Sequence, residues 1–98
     1  MKIIWSPRGR RRLAEYARSI AEYDYPQTSV NWLMDIRAAV EHLADFPLSG
    51  REVPEFANSK VREIVHHGYK IFYRVHSRCC EIISVRHSRF HINSIHSL

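Results

Sequence analysis

The hydrophobic pattern of this 98-residue chain changes its period once, and this change restricts the folds that the chain can adopt. From residue 13 to residue 44, apolar residues recur every three or four positions, which is typical of helices with one buried face. From residue 61 onward, apolar and polar residues alternate, which is typical of strands with one buried face. Helices followed by strands predict an α+β domain, in which a sheet packs against the helices.

The first half of the chain predicts a short strand followed by two helices. Residues 2–5, KIIW, favour an N-terminal strand. Ser6 and Pro7 then predict the start of a helix, because a serine hydroxyl caps helix N-termini and proline fits the first helical position. This helix is expected to end before Pro26, and a second helix is expected to run from there to Pro47. So short a connection predicts a helical hairpin.

The second half predicts three strands, over residues 61–67, 69–76 and 79–87. The breaks at Gly68 and at Ser77-Arg78 are short enough for two hairpins, which makes the three strands an antiparallel meander. In the middle strand, alternation gives one apolar face and one basic face that contains a single phenylalanine. We expect the apolar face to pack on the helical hairpin, and residues 1–98 to form a single domain.

Residues 47–60, PLSGREVPEFANSK, separate the two halves and show no hydrophobic period. Two prolines and a glycine predict a loop in this segment. A loop of this length is uncommon in so small a domain and is often functional.

The basic residues of the chain are strongly biased toward arginine: twelve are arginine and three are lysine. Lysine would serve solubility equally well, whereas the planar guanidinium group of arginine suits phosphates and carboxylates. Together with a net charge of +5, this bias predicts an acidic partner: nucleic acid, an acidic protein segment or both.

Four arginines stand where the first helix begins: Arg8, Arg10, Arg11 and Arg12. Cations in a first turn face the positive end of the helix dipole, which costs about 0.3 kcal/mol or more each. Gly9 in the same turn weakens the helix further. Because this placement costs stability, we interpret the four arginines as a binding site for acidic groups, with a general role in solubility as the alternative.

The chain offers no sequence pattern for a membrane helix, a disulfide or a metal site. No apolar run approaches the roughly 20 residues that a membrane-spanning helix needs. Cys79 and Cys80 are adjacent on a predicted strand and should point to opposite faces, so we expect two reduced thiols in a cytoplasmic protein. The same reasoning separates His66 from His67, so we expect no metal site, and no motif indicates a cofactor.

Four motifs in this order and spacing resemble the RelE/ParE superfamily of bacterial type II toxin-antitoxin toxins. They are KIIWSP, LADFPLSGREVPEF, VREIVHHGYKIFYRV and IISVRH. The resemblance covers about residues 2–90. It implies the sheet-and-hairpin fold described above, growth inhibition with a role in plasmid stabilisation, and a cognate antitoxin that wraps the toxin.

The superfamily divides into two branches with different activities. RelE-like members resemble ribosome-dependent ribonucleases that cut mRNA, whereas ParE-like members look like inhibitors of DNA gyrase that need no hydrolytic residues. The segments PLSGR, VREI and GYKIFYRV resemble the ParE-like branch more closely than the RelE-like branch. The resemblance therefore implies a toxin that binds DNA gyrase and is not an enzyme. The alternative is a RelE-like mRNA endonuclease that acts on the ribosome.

Cleavage of RNA by its own 2′-hydroxyl would need a base, an acid and cations at the phosphate. The candidate catalytic residues are Arg62, Arg86 and His87, with Glu52 or Glu55 from the long loop. Two departures from the RelE-like pattern oppose this reaction. Phe90 stands where the resemblance implies a catalytic phenol, and only Lys60 stands where it implies a pair of lysines.

Strand alternation gives a first placement of these residues. We expect Ile83, Val85 and His87 to share the core side of the last strand, with Arg86 on the open face. As a structural alternative, Arg62 is expected to pair with Glu81 or with a loop glutamate. Besides the four helix arginines, the predicted partner-binding or target-binding residues are Lys70, Arg74 and Arg89.

Overall fold

A computed structural model of the chain describes residues 1–56, 60–90 and 97–98 in full, and residues 57–59 as backbone. The elements in chain order are β1 (Lys2–Trp5), α1 (Pro7–Tyr23), α2 (Pro26–Asp45), β2 (Arg51–Glu52), a 3₁₀ segment (Pro54–Ser59), β3 (Arg62–His66), β4 (Tyr69–Val75) and β5 (Cys79–His87). The predicted α+β fold is confirmed. None of the helices in the described part of the chain is both long enough and apolar enough to span a membrane.

The strands form one five-stranded sheet in the order β1-β5-β4-β3-β2. The pairs between β3, β4 and β5 are antiparallel, which confirms the meander. The N-terminal strand β1 instead pairs in parallel with β5, so that Lys2 lies opposite Cys79 and Trp5 lies opposite Ile82. A parallel pair needs a long connection, and here residues 6–78 lie between the two strands. The helical hairpin is the part of this connection that covers one face of the sheet.

The helix ends follow the chemistry that the sequence predicts. The backbone N–H of Gly9 donates to the hydroxyl of Ser6 at 2.9 Å, which caps α1. In the first turn of α2, the buried Ser29 donates its hydroxyl hydrogen bond to the carbonyl of Ala17 in α1 at 2.6 Å, which joins the two helices.

The main core lies between the helical hairpin and one face of the sheet. Its buried members are Trp32, Ile36, Val40 and Leu43 from α2, and Ile71, Tyr73, Cys80, Ile82 and Val85 from β4 and β5. Apolar side chains of α1 and β1 pack around this cluster. The hydrophobic stripe of α2 predicted from the sequence is therefore largely the side that meets the sheet.

The opposite face of the sheet is also partly covered, which corrects the expectation of an open basic face. Phe72 is fully buried there in a second, smaller core with Val53, Phe56, Val61 and Leu98. The cover comes from the segment 47–60, which is not simply a loop. It contains β2, which pairs with β3, and the 3₁₀ segment. A two-residue strand is too short to show an alternation, so the sequence pattern could not reveal it.

A β-bulge in β5 changes which of its side chains share a face. Tyr73 lies opposite Ile82, but the preceding Phe72 lies opposite Ser84, so Ile83 is an extra residue. Ile83 therefore packs against the second core while Val85 packs in the main core. The expectation that Ile83 and Val85 share one face is wrong for this reason.

The bulge is also where the start of α1 meets the sheet. The hydroxyl of Ser6 donates to the carbonyl of Ile83 at 2.9 Å, and its N–H donates to the carbonyl of Ile82 at 2.9 Å. A Cβ at position 9 would lie 2.8 Å from the oxygen of Ile82, so only glycine permits this approach. Gly9 therefore lowers the helix propensity of α1, but its missing side chain allows α1 to pack closely on β5.

Candidate functional site

The four arginines at the start of α1 do not all point to one surface. Arg10 and Arg11 are exposed and Arg8 is half-buried. Arg12 has structural contacts: its Nε donates to the main-chain oxygen of Leu98 at 2.9 Å, and its guanidinium lies 3.3 Å from Glu15. Arg12 therefore helps to hold the cover of the second core, whereas Arg10 and Arg11 are available to a partner.

Arg10 borders an apolar groove of about 490 Å³. We call the apolar groove the surface lined by Trp5, Leu13, Ala14, Ala17 and Leu33, with Arg10 at its edge. β1, α1 and α2 each contribute to it, so the groove lies where the helical hairpin meets the edge strand β1. An amphipathic segment that carries acidic residues would match both its apolar floor and its cationic edge.

A second depression, of about 250 Å³, lies on the other face of the sheet. We call it the charged pocket, and its lining residues are Arg51, Val53, Glu55, Glu63, Lys70, Phe72, Ser88, Arg89 and Phe90. The structure thus brings together two of the predicted binding residues, Lys70 and Arg89. With three cations and two carboxylates, the pocket is positively charged on balance and polar, in contrast to the apolar groove.

The sequence did not indicate the ion pair at the base of the charged pocket. Nε of Arg51 lies 2.7 Å from a carboxylate oxygen of Glu63, whose side chain is only 3% exposed. A carboxylate buried this deeply is stable only when it is paired and hydrogen-bonded. The pairing follows from the β2–β3 register, in which Arg51 lies opposite Glu63. A two-residue strand such as β2 is too short to be predicted from the sequence pattern.

Arg86 lies beside the charged pocket on the same face of the sheet. Its guanidinium donates to the carbonyl of Ser97 at 2.6 Å and stacks 3.8 Å above the ring centre of Phe90. Nε of Arg86 is buried without a hydrogen-bond partner in the described residues. Phe90, which cannot transfer a proton, therefore has a different use here as a cation–π partner.

His87 lies on the helix-covered side, so alternation places it correctly opposite to Arg86. Its ring meets that of Tyr69 edge-on at 5.1 Å between centroids, and its main-chain N–H donates to the hydroxyl of Tyr16 at 3.0 Å. Nδ1 of His87 accepts a hydrogen bond from the main-chain N–H of Arg89 at 3.1 Å. The imidazole is thereby fitted into the edge of the main core.

Arg62 is bound to the segment that precedes β2. Its guanidinium donates to the carbonyl of Gly50 at 2.7 Å and lies 3.5 Å from the carboxylate of Glu52. The predicted pairing with a loop glutamate is therefore present. The buried hydroxyl of Tyr73 holds the same segment, donating to the carbonyl of Pro47 at 2.8 Å and accepting from the N–H of Gly50 at 2.9 Å.

The burial that makes Tyr73 a good anchor also changes its acidity. Desolvation raises the pKa of the Tyr73 phenol, while the hydrogen bond from Gly50 acts in the opposite direction. The phenol therefore stays protonated at neutral pH and keeps donating to the loop.

The three candidate catalytic residues, Arg62, Arg86 and His87, therefore do not lie close to one another. Arg62 lies opposite Tyr73 on β4, whereas His87 lies opposite Tyr69, four residues away along the strand. That separation is about 13 Å at the rise of a β-strand. Arg86 is on the other face of the sheet. No single phosphate can contact all three side chains in this arrangement.

The remaining candidate residues are distributed over both faces. Arg74 lies opposite Glu81 in the β4–β5 register, four residues along β4 from Lys70, so the two are not neighbours. Of the loop carboxylates, Glu52 pairs with Arg62 and Glu55 lines the charged pocket.

His66 and His67 lie side by side, contrary to the expectation that they point apart. β3 ends at His66, and His67 belongs to the turn, where its φ of 48° is left-handed. The two rings are 4.3 Å apart between centroids. Alternation applies only within a strand, and the strand is one residue shorter at this end than the sequence predicts.

Comparison with known proteins gives the following matches. A family described as the ParE toxin of the type II toxin-antitoxin system, parDE, matches residues 3–91. Among solved structures, a protein of the chromosomal ParDE TA system from P. aeruginosa is similar, with a TM-score of 0.74 and 19% sequence identity. That match covers 89% of this chain and 95% of the other. No curated protein sequence matches significantly.

Proposed function

This chain belongs to the family of ParE toxins of type II toxin-antitoxin systems, and from this membership we propose how it acts. In our proposal it inhibits growth in the cytoplasm by binding DNA gyrase, without cleaving a substrate, and a cognate antitoxin neutralises it.

The observation that most supports a binding mode of action is the separation of Arg62, Arg86 and His87. General acid-base catalysis requires groups within hydrogen-bond reach of the reacting atoms. Here Arg62 is bound to the loop, Arg86 is stacked on Phe90, and His87 accepts a hydrogen bond from the main chain. Each of these side chains already has a structural role.

The apolar groove supports neutralisation by an antitoxin. An unpaired apolar groove with a cationic edge is the shape that an amphipathic helix with acidic residues fills. Arg10 at this edge and the exposed Arg11 one residue further along α1 supply the positive charge. A short reading frame upstream of the gene is expected to encode such an antitoxin.

The charged pocket is our candidate for the target-binding surface. It lies on the face of the sheet opposite to the helical hairpin, so an antitoxin helix in the apolar groove would leave it uncovered. Lys70 and Arg89 are held there close to Arg51, whose own charge is partly neutralised by Glu63. Such a cluster suits an acidic surface of a protein or the phosphates of bound DNA.

A supercoiling assay tests the proposed target. Purified toxin should inhibit supercoiling of relaxed plasmid by DNA gyrase and should bind the enzyme. In cells, induction without antitoxin should produce DNA breaks while mRNA stays intact. Early loss of mRNA with cuts at the ribosomal A site, and unaffected gyrase, would instead establish the RelE-like alternative.

A pair of charge reversals tests the proposed surface. Lys70→Glu combined with Arg89→Glu should weaken gyrase binding by more than about tenfold, because two attractive charges become repulsive. Lys2→Glu combined with Arg37→Glu changes the net charge equally at exposed positions away from the pocket. Equal loss of binding in both double variants would show that net charge matters and that the charged pocket does not.

A further inference from the structure

Three potential metal ligands converge where α2 passes the β3–β4 turn. Asp35, His66 and His67 each offer one ligand atom, and these three atoms all lie within 4.8 Å of one another. Asp35 and His67 are exposed, and His66 is half-buried. The cluster is separate from the apolar groove and from the charged pocket, neither of which contains any of these three residues.

The backbone of the turn is what creates this cluster. His67 at a φ of 48° and Gly68 at 82° turn the chain so that the His67 ring folds back beside that of His66. In a continuing strand the two rings would point to opposite faces. Asp35 then approaches from a different element, because the helix-covered face of β3 looks toward α2.

The hydrogen bonding of these side chains is incomplete. Nε2 of His66 is buried and has no hydrogen-bond partner among the described residues. A buried nitrogen without a partner is costly, and one common resolution is an ion.

We propose that Asp35, His66 and His67 bind a zinc ion. Two imidazole nitrogens and a carboxylate oxygen are ligands that zinc accepts, whereas calcium and magnesium prefer oxygen ligands. Zinc bonds of about 2.1 Å in a tetrahedron place ligand atoms about 3.4 Å apart. Side-chain rotations of the two exposed residues would close the difference from the present spacing.

The ion would join two elements that are distant in sequence. With three protein ligands, a fourth position would stay open for water or for a ligand from another molecule. Because the three ligands converge only in the folded chain, zinc would stabilise the fold by mass action.

Binding of zinc to the metal-free, full-length toxin provides the first test. Titration of zinc against a chromogenic chelator should give one site per chain. Loss of a group that merely orients a zinc ligand already costs about 10- to 100-fold in affinity, so Asp35→Asn and His67→Asn should each cost at least that. Asparagine at position 67 retains a residue that tolerates a left-handed backbone.

His76→Asn is the matched control, because His76 is an exposed histidine paired with Glu81 and remote from the cluster. It should bind zinc as the unchanged protein does. Thermal melts in chelator show that each variant is folded. Unchanged affinity in Asp35→Asn and His67→Asn would place any bound zinc elsewhere and overturn the proposal, as would absence of binding to the unchanged protein.

A second measurement needs no variant. Zinc titrated into the unchanged protein should shift the ring NMR resonances of His66 and His67 and leave that of His76 in place. Shifts at His76 with none at His66 and His67 would overturn the proposal independently of how the variants fold. Neither outcome bears on gyrase inhibition, so this proposal and the proposed function can fail separately.

Discussion

The two faces of the central sheet are buried by different means. Toward the helical hairpin, two full-length helices cover a continuous apolar core. On the other face, the cover consists of a 3₁₀ segment and Leu98 over a small core. Beside that small core lie the Arg51–Glu63 ion pair, Lys70, Arg86 and Arg89, whereas the main core contains no charged residue among those described.

From this difference we infer that one face of the sheet supplies stability and the other supplies the proposed binding surface. Area buried under the hairpin supplies most of the apolar stabilisation, which is non-directional and tolerates no charge. The other face buries less, and its charged groups are arranged around a depression that packing alone does not require. A surface that retains charge at the expense of burial is where a partner is expected to bind.

The first prediction tests whether the smaller core is structural in its own right. Phe72→Ala should reduce the free energy of unfolding by about 3–5 kcal/mol, because Phe72 is fully buried and its removal leaves a cavity. Val65→Ala, on the neighbouring strand at a residue that is 63% exposed, should change it by less than about 0.5 kcal/mol. Denaturant unfolding measures both values. A small loss of unfolding free energy in Phe72→Ala would show that this face is an open surface, as the sequence suggests.

The sequence predicts the structure of the sheet face covered by the hairpin far better than that of the opposite face. Periodicity, the Ser6-Pro7 cap and the hairpin breaks each act locally, so the helices and the meander could be read directly from neighbouring residues. The burial of Phe72 depends on Leu98 and on the 3₁₀ segment, which are distant in sequence. The bulge at Ile83 cannot be predicted from the sequence, because both faces of the sheet are partly apolar and an isoleucine can be buried on either.

The same distinction applies to the candidate site. Lys70 and Arg89 are among the partner-binding or target-binding residues predicted from the sequence, and the charged pocket contains both. Arg51 and Glu63 escaped notice because their pairing depends on the register of β2 against β3. The approach of Asp35 to the two histidines depends on a helix packing against a turn, and no residue spacing encodes it.

The second prediction tests how dry the main core is, through the change of stability at alkaline pH. Burial, followed by the effect of Cys79, raises the pKa of the Cys80 thiol from 9.0 to about 11. Between these values the unfolded chain loses a proton that the folded chain keeps, so stability falls as pH rises. The Cys80 contribution should cost about 1–2 kcal/mol between pH 8 and pH 10.

Unfolding of the unchanged protein and of Cys80→Ala at both pH values measures this contribution. The variant removes a buried thiol and should lose stability at pH 8, but its further loss toward pH 10 should be smaller. Tyr69 and Tyr73, whose pKa values burial also raises, contribute mainly above pH 10. Identical pH slopes in the two proteins would show that Cys80 does not resist ionisation, and would weaken the contrast between a dry face and a charged one.

The third prediction concerns the surface outside the main core and has the smallest effect on stability. Arg10→Glu combined with Arg11→Glu should raise the free energy of unfolding by about 0.3–1 kcal/mol per residue, because anions replace cations at the positive end of the α1 dipole. The same change should weaken binding of the antitoxin, since the edge of the apolar groove would repel acidic residues. Lys2→Glu combined with Arg37→Glu is the control of equal charge. A double variant that is less stable and still binds the antitoxin normally would mean that these arginines serve the fold, and that the groove recognises its partner by apolar contact alone.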